Sequence, residues 1–222
     1  MNGPVQLAGW KLTLPVAGKK GDAAGVNPAA PMPPYLVAES NGTLTLWAPV
    51  GGSTTPNSSH ARTELDSLTS FPAGSGRHVL TATVTVTQLP QQEPDVIVGQ
   101  IHGADDISSI PYVMLHDADG AIGVVVKQKQ SGSTSDKYPL LDNVPLGTSF
   151  RFTITDNGNG SLTFTATSGG RTATANAPVP QAFSGASVRF QAGAYQQADS
   201  TQGGAAPDDG ARLIFQELTV GT

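Results

Sequence analysis

Phe150-Arg151-Phe152-Thr153-Ile154-Thr155, followed by Asp156-Asn157-Gly158-Asn159-Gly160 and then by Leu162-Thr163-Phe164-Thr165-Ala166-Thr167, decides the fold. Apolar side chains fall at 150, 152 and 154 and again at 162, 164 and 166, with polar ones between them. A period of two is the pattern of a half-buried β-strand. The intervening Asn and Gly residues supply the positive φ values that a tight connection needs, so the stretch predicts a β-hairpin. Outward from it, Tyr112-Val113-Met114-Leu115-His116 and Ile122-Gly123-Val124-Val125-Val126-Lys127 flank Asp117-Ala118-Asp119-Gly120 in the same way. Further strands are expected over residues 79–86, 43–48, 97–102, 188–194 and 213–219. No segment keeps a 3.6-residue period over three turns. The expectation is an all-β chain: one domain spanning residues 1–222, two antiparallel sheets forming a sandwich or jelly roll. Residues 16–34, dense in Gly, Ala and Pro, are expected to be irregular. Residues 130–137 and 198–209 read as solvated loops.

Composition narrows the function. The 222 residues are 38% apolar, enough for a real core, and Gly 26 with Pro 17 suits many turns. Only 13% are charged and the net charge is -5, which argues against nucleic acid as a partner. Cysteine is absent, so disulfides, thiol catalysis and cysteine-held zinc are excluded together. His60, His78 and His116 lack metal-ligand spacing, and Asp117-Ala118-Asp119-Gly120 lacks the rest of a calcium loop, so no metal and no cofactor is expected. No apolar run approaches membrane-spanning length. Met1-Asn2-Gly3-Pro4 carries no charged-then-apolar leader pattern.

Three segments carry chemistry. Arg62-Thr63-Glu64-Leu65, Gln100-Ile101-His102 and Gln191-Ala192-Gly193-Ala194-Tyr195-Gln196-Gln197 each place polar side chains at every second position. On strands, Arg62 and Glu64 share a face, as do Gln100 and His102, and Gln191, Tyr195 and Gln197. A guanidinium, an amide, an imidazole and a phenol on one sheet face can bind a carboxylate and move a proton. Taken singly, each has an ordinary explanation: Arg-x-Glu as an exposed ion pair, the histidine as a structural one, the tyrosine as packing. Their joint order is what favours catalysis.

That order resembles polysaccharide lyase family 7, the alginate lyases. Trp10-Lys11-Leu12-Thr13-Leu14-Pro15 is similar to the family's opening strand, Arg62-Thr63-Glu64-Leu65 to its R-(S/T)-E-L segment and Gln100-Ile101-His102 to its Q-(I/V)-H segment. Phe190 to Gln197 is similar to most of its Y-F-K-A-G-x-Y-x-Q segment. The resemblance implies a jelly roll whose concave face is a sugar-binding groove, with Arg62, Gln100, His102 and Tyr195 as catalytic residues. It also implies a division of labour. On guluronate, where proton and leaving oxygen lie on opposite faces, His102 is the base and Tyr195 the acid; on mannuronate Tyr195 serves both steps. Ile101 goes with guluronate-containing chains. Two positions depart from the family: Asp66 stands where a second basic residue is frequent, and Gln191 where lysine is usual.

The chemistry fits those residue types. Eliminative cleavage of a polyuronate removes the proton beside the carboxylate and expels the glycosidic oxygen, so a developing enolate-like dianion needs preorganised donors. Arg62 offers a planar, permanently charged fork, and Gln100 offers amide donors. His102 is a base when uncharged, and Tyr195 gives a proton to the leaving oxygen. Glu64 orients Arg62. Substrate contacts are expected from Glu64, Asp66, Gln191 and Gln197, with Lys127, Lys129 and Arg189 compensating for the two absent charges. The partner is an anionic polysaccharide, cut from within by a secreted monomer, because so large a polymer must be met outside the cell. Three alternatives stand beside this reading. A β-glucuronan lyase would use the same mechanism. A glycoside hydrolase would use the Glu64–Asp66 pair. A non-catalytic sugar-binding sandwich would be expected to display more than 6% aromatic residues.

Overall fold

The alternation seen in the hairpin recurs in strands of both sheets, as in Trp10–Ala17, Ala121–Lys127 and Ser161–Ser168. The computed structural model describes residues 4–18 and 23–222, so Met1-Asn2-Gly3 and residues 19–22 of the expected irregular stretch lie outside the described residues. The strands are β1 (Trp10–Ala17), β2 (Ala23–Val26), β3 (Leu36–Ala38), β4 (Leu44–Pro49), β5 (Arg62–Pro72), β6 (His78–Gln88), β7 (Asp95–Gly103) and β8 (Pro111–Ala118). They continue with β9 (Ala121–Lys127), β10 (Ser135–Leu141), β11 (Ser149–Asp156), β12 (Ser161–Ser168), β13 (Arg171–Pro178), β14 (Ser187–Gln196) and β15 (Gly210–Gly221). Eight of them form one sheet in the order β10-β9-β8-β7-β14-β5-β1-β2, and seven form the other in the order β13-β12-β11-β6-β15-β4-β3. The expected hairpin is β11–β12, in register from Arg151↔Thr167 to Asp156↔Leu162. In β8–β9 the connection tightens to Asp119-Gly120, both at positive φ, with Ala118 paired to Ala121. Asp117 there accepts a bond from the Gly120 N–H at 2.9 Å, so the acidic run is a turn.

One apolar cluster fills the space between the sheets. Leu65, Val98, Ile101, Leu115 and Ala192 of the eight-stranded sheet meet Leu80, Val84, Phe150, Phe152, Leu213 and Phe215 of the other. Each fully buried Phe contributes roughly 1.5–3 kcal/mol relative to exposure. In β12 the outward Thr165 and Thr167 pair with Thr174 and Thr172 across the ladder, at 3.2 and 2.9 Å. β5, β7 and β14 behave differently, because runs of consecutive residues are buried on both faces. Their second face is polar and covered, and it is the one that carries the site.

Three expectations need correction. Residues 16–34 are not irregular throughout: β1 reaches Ala17, and Ala23–Val26 pairs with it through Leu12↔Val26 and Thr13↔Gly25. Residues 130–137 are not all loop, since β10 begins at Ser135. β3 and β13 were not anticipated. The unanticipated strands β2, β3, β10 and β13 are the four sheet edges. An edge strand pairs on one side only and tolerates polar residues and proline, so its apolar signal is weak.

Candidate active site

Register brings the three polar segments together. β14 lies between β5 and β7, with Tyr195↔Arg62, Gly193↔Glu64 and Gln191↔Asp66 on one side and Gln191↔Gln100 and Arg189↔His102 on the other. β1 adds Lys11↔Asp66 and Thr13↔Glu64. The close approach at Gly193 is needed, because a Cβ there would stand 2.6 Å from the Glu64 Cα. Near Phe190, three residues of β5 (Ser67, Leu68, Thr69) oppose one of β14, a bulge that bends the sheet beside the site.

The polar face is knit by hydrogen bonds across four strands. Thr13 Oγ1 donates to Asp66 Oδ2 at 3.0 Å, and Gln191 Nε2 donates to Asp66 Oδ1. Gln100 Nε2 donates to Gln191 Oε1 at 3.2 Å and to Glu64 Oε1 at 2.5 Å. Arg62 Nη1 donates to Glu64 Oε2 at 3.0 Å. Lys11 Nζ lies 3.9 Å from Asp66 Oδ2. Above this floor opens a cleft of about 330 Å³, lined by Lys11, Arg62, Asp66, His102, Arg189, Gln191 and Tyr195. The loop residues Thr55, Asn57, Ser58 and Ser108 border it.

Burial sets the charges. Desolvation works against the Arg62 cation, but Glu64, Tyr195 and Asp66 more than offset it, and its pKa lies above the usual value. Burial pushes the Glu64 carboxyl above the usual carboxylate range and Asp66 adds to this, against the pull of Arg62 and Gln100. His102 is brought down to about 4, first by burial and then by the charges of Arg62, Arg189 and Lys11, with the Gly103 carbonyl opposing. Its Nδ1 lies 3.1 Å from that carbonyl, which only accepts. Nδ1 therefore carries the proton, and Nε2 keeps its lone pair. The Tyr195 hydroxyl is 2.9 Å from Ser58 Oγ, and the Arg62 guanidinium carbon sits 3.5 Å from the Tyr195 ring centroid.

The structure redistributes several of the expected contacts. Glu64 is fully buried, its carboxylate engaged by Arg62 and Gln100, so it supports the cleft without lining it. The Gln100 amide points its NH₂ at Glu64 and Gln191, and its Oε1 is buried and unpartnered. Gln197 donates to the backbone carbonyls of Tyr195 and Gln196, outside the lining. Lys127 and Lys129, at and beyond the end of β9, are also outside it, with β8 between their strand and β7. Arg189 does line the cleft, and its Nε is buried without a partner, as is that of Arg62. Lys11, Thr13 and Ser58 were not singled out by sequence. Lys11 sits in an alternating strand, and only the β1–β5 register reveals that it faces Asp66. Glu64 and Asp66, weighed as a hydrolytic pair, are neighbours on one strand and both hydrogen-bonded, so they do not flank a scissile bond.

Comparison with known proteins places this arrangement. The chain matches the family model described as alginate lyase over residues 5–222. Among solved structures, it is similar to alginate lyase PA1167 from Pseudomonas aeruginosa (24% identity, 97% of this chain and 99% of that chain, TM-score 0.83). It is also similar to alginate lyase A1-II′, a member of polysaccharide lyase family 7 (25% identity, 98% and 96% covered, TM-score 0.80). The alginate lyase from Klebsiella pneumoniae shares the fold at 20% identity, with 97% and 96% covered and a TM-score of 0.80. No curated protein sequence matches this chain. A match that runs from residue 5 to the last residue, on a sandwich shared with A1-II′, is decisive: the chain belongs to the alginate lyases of polysaccharide lyase family 7.

Proposed function

We propose that this lyase cleaves alginate within guluronate-containing or mixed stretches by β-elimination, acting endolytically, as a monomer and outside the cell. The observation that carries the reading is His102: neutral, with its Nδ1 proton held by Gly103 and its Nε2 lone pair free, in the same cleft as the phenol of Tyr195. The substrate carboxylate is met by Arg62 and Arg189, whose buried Nε–H groups have no partner among the described residues. An unpaired buried donor is costly, so an anionic ligand relieves both. His102 Nε2 takes the proton from the carbon bearing the carboxylate. That electron pair becomes the new carbon–carbon double bond as the glycosidic C–O pair leaves with oxygen. Tyr195 gives its hydroxyl proton to that oxygen. Gln100, fully buried and outside the cleft lining, acts through Glu64 and Gln191, which its NH₂ engages. Endolytic action is supported by a lining drawn from the sheet floor and two bordering loops. Placement outside the cell rests on polymer size.

A second reading, a β-glucuronan lyase with the same mechanism, is favoured by one observation. Asp66 and Gln191 put a carboxylate and an amide where the family resemblance implies cations. The deciding experiment follows ultraviolet absorbance of the unsaturated product end on polyguluronate, polymannuronate and β-glucuronan side by side. A rise on guluronate-containing alginate is expected. A rise on glucuronan alone would replace the substrate and keep the chemistry, and no rise on any would overturn the elimination. Tyr195→Phe should lose about 10²–10⁴-fold in turnover and keep substrate binding.

A further inference from the structure

We infer that Ser58 is a positioning residue for Tyr195, holding the phenol's proton in the resting enzyme and bonding the phenolate once that proton has left. This rests on the reading of Tyr195 as the acid. Hydrogen-bond accounting supports it. Ser58 Oγ makes three contacts: the His60 carbonyl at 3.1 Å, the His60 N–H at 3.0 Å and the Tyr195 hydroxyl at 2.9 Å. A serine hydroxyl has one proton and two lone pairs. The carbonyl only accepts, so it takes the Ser58 proton. The His60 N–H only donates, so it occupies one lone pair. The remaining lone pair is left for Tyr195, whose O–H must therefore donate to Ser58. The direction of the phenol's hydrogen is thereby set.

Among the described residues, Ser58 is the hydrogen-bond partner of that oxygen. Arg62 covers the ring face at 3.5 Å, and His60 meets the ring edge-on at 6.2 Å between centroids. Neither is a hydrogen-bond partner of the hydroxyl. During elimination the Tyr195 O–H bond turns to the glycosidic oxygen and breaks, leaving its electron pair on the phenolic oxygen. The Ser58 hydroxyl then rotates from the His60 carbonyl to that oxygen, and no atom changes residue in this second step. Solvent restores the phenol's proton and takes the one held by His102.

Wild type, Ser58→Ala, Ser58→Thr and Ser58→Cys are compared on polyguluronate and polymannuronate, reading kcat, KM and the pH profile of kcat. Ser58→Ala should lower kcat by about 10–100-fold, less than the roughly 10²–10⁴-fold of the proton-transfer group it positions. Its KM should stay within about twofold, and the alkaline limb of kcat should move. Ser58→Thr, which keeps the hydroxyl, should recover most of the loss. Ser58→Cys keeps the size with a weaker hydrogen bond and should lose kcat as alanine does, so the inference stays testable if alanine unsettles the loop. On a Tyr195→Phe background, Ser58→Ala should cost nothing further. Wild-type kcat and pH profile in both Ser58→Ala and Ser58→Cys, a change confined to KM, or an equal loss in Ser58→Thr would overturn the inference. An inactive wild type would instead overturn the proposed function.

Discussion

Lys11 and Asp66 face each other across the β1–β5 ladder, with Nζ 3.9 Å from Oδ2 at the edge of the cleft. The resemblance implies a cation at position 66, and here the cation stands one strand away with a carboxylate between it and the floor. Asp66 is buried and also bonded by Thr13 and Gln191, whereas Lys11 keeps over a third of its side chain in solvent. Lys11 is thus the member of the pair that can turn to a substrate.

Lys11→Ala should raise KM for a polyuronate about fivefold, the equivalent of about 1 kcal/mol for a solvent-facing ionic contact, with kcat little changed. Asp66→Asn keeps bonding partners for Thr13 and Gln191 while releasing Lys11, and it should lower KM. Initial rates at low ionic strength measure both, and the two effects should converge as salt screens them.

As the proposed base, His102 should set the acid side of the rate profile. With its pKa near 4, the imidazole is neutral and able to accept a proton throughout the mildly acidic range. The kcat/KM profile, which reports the free enzyme, should fall with an apparent pKa near 4. Bound carboxylates favour the imidazolium, so the matching limb of kcat should lie at higher pH.

The same group makes stability depend on pH. His102 has a folded pKa of about 4 against a reference of 6.5, so between those values the unfolded chain binds the extra proton. Stability is full above 6.5 and falls as pH drops towards 4, by about 3 kcal/mol at 1.36 kcal/mol per pH unit. Urea unfolding of wild type and His102→Asn at both ends of that window should show the slope in wild type and a smaller one in the variant.

Gly193→Ala should act on the site through the backbone. Its Cβ would press on the Glu64 Cα from 2.6 Å, and the β5 backbone has no free direction in which to yield. A loss of about 1–3 kcal/mol is expected from overpacking. Because Glu64 holds both Arg62 and Gln100, kcat should fall as well. Thermal unfolding and turnover of the purified variant report the two effects.

The parts of the fold legible in sequence were those that touch the core on a regular period. Phe150, Phe152, Leu162 and Phe164 announce their strands, whereas Ala23–Val26 and Arg171–Pro178, at sheet edges, carry little apolar pattern. For the site, strand parity correctly put Arg62, His102, Gln191 and Tyr195 on one face. Parity does not say where along that face a residue lies, which is why Lys127 shares the face and misses the cleft. Nor does it reach across strands or loops: Lys11 is tied to Asp66 by register, and Ser58 to Tyr195 by a loop folding back over 137 positions.

The hydrogen-bonded floor bears on how this enzyme can diversify. Thr13, Asp66, Gln191, Gln100, Glu64 and Arg62 are joined by bonds donated from Thr13 Oγ1, Gln191 Nε2, Gln100 Nε2 and Arg62 Nη1. Restoring a lysine at 191 alone would remove the carbonyl that receives Gln100, and restoring a cation at 66 alone would strand Thr13 and the Gln191 amide. Either single step strands a buried polar group before it yields a new preference. A change of preference at this floor should therefore be engineered as a matched pair, with positions 66 and 191 replaced together.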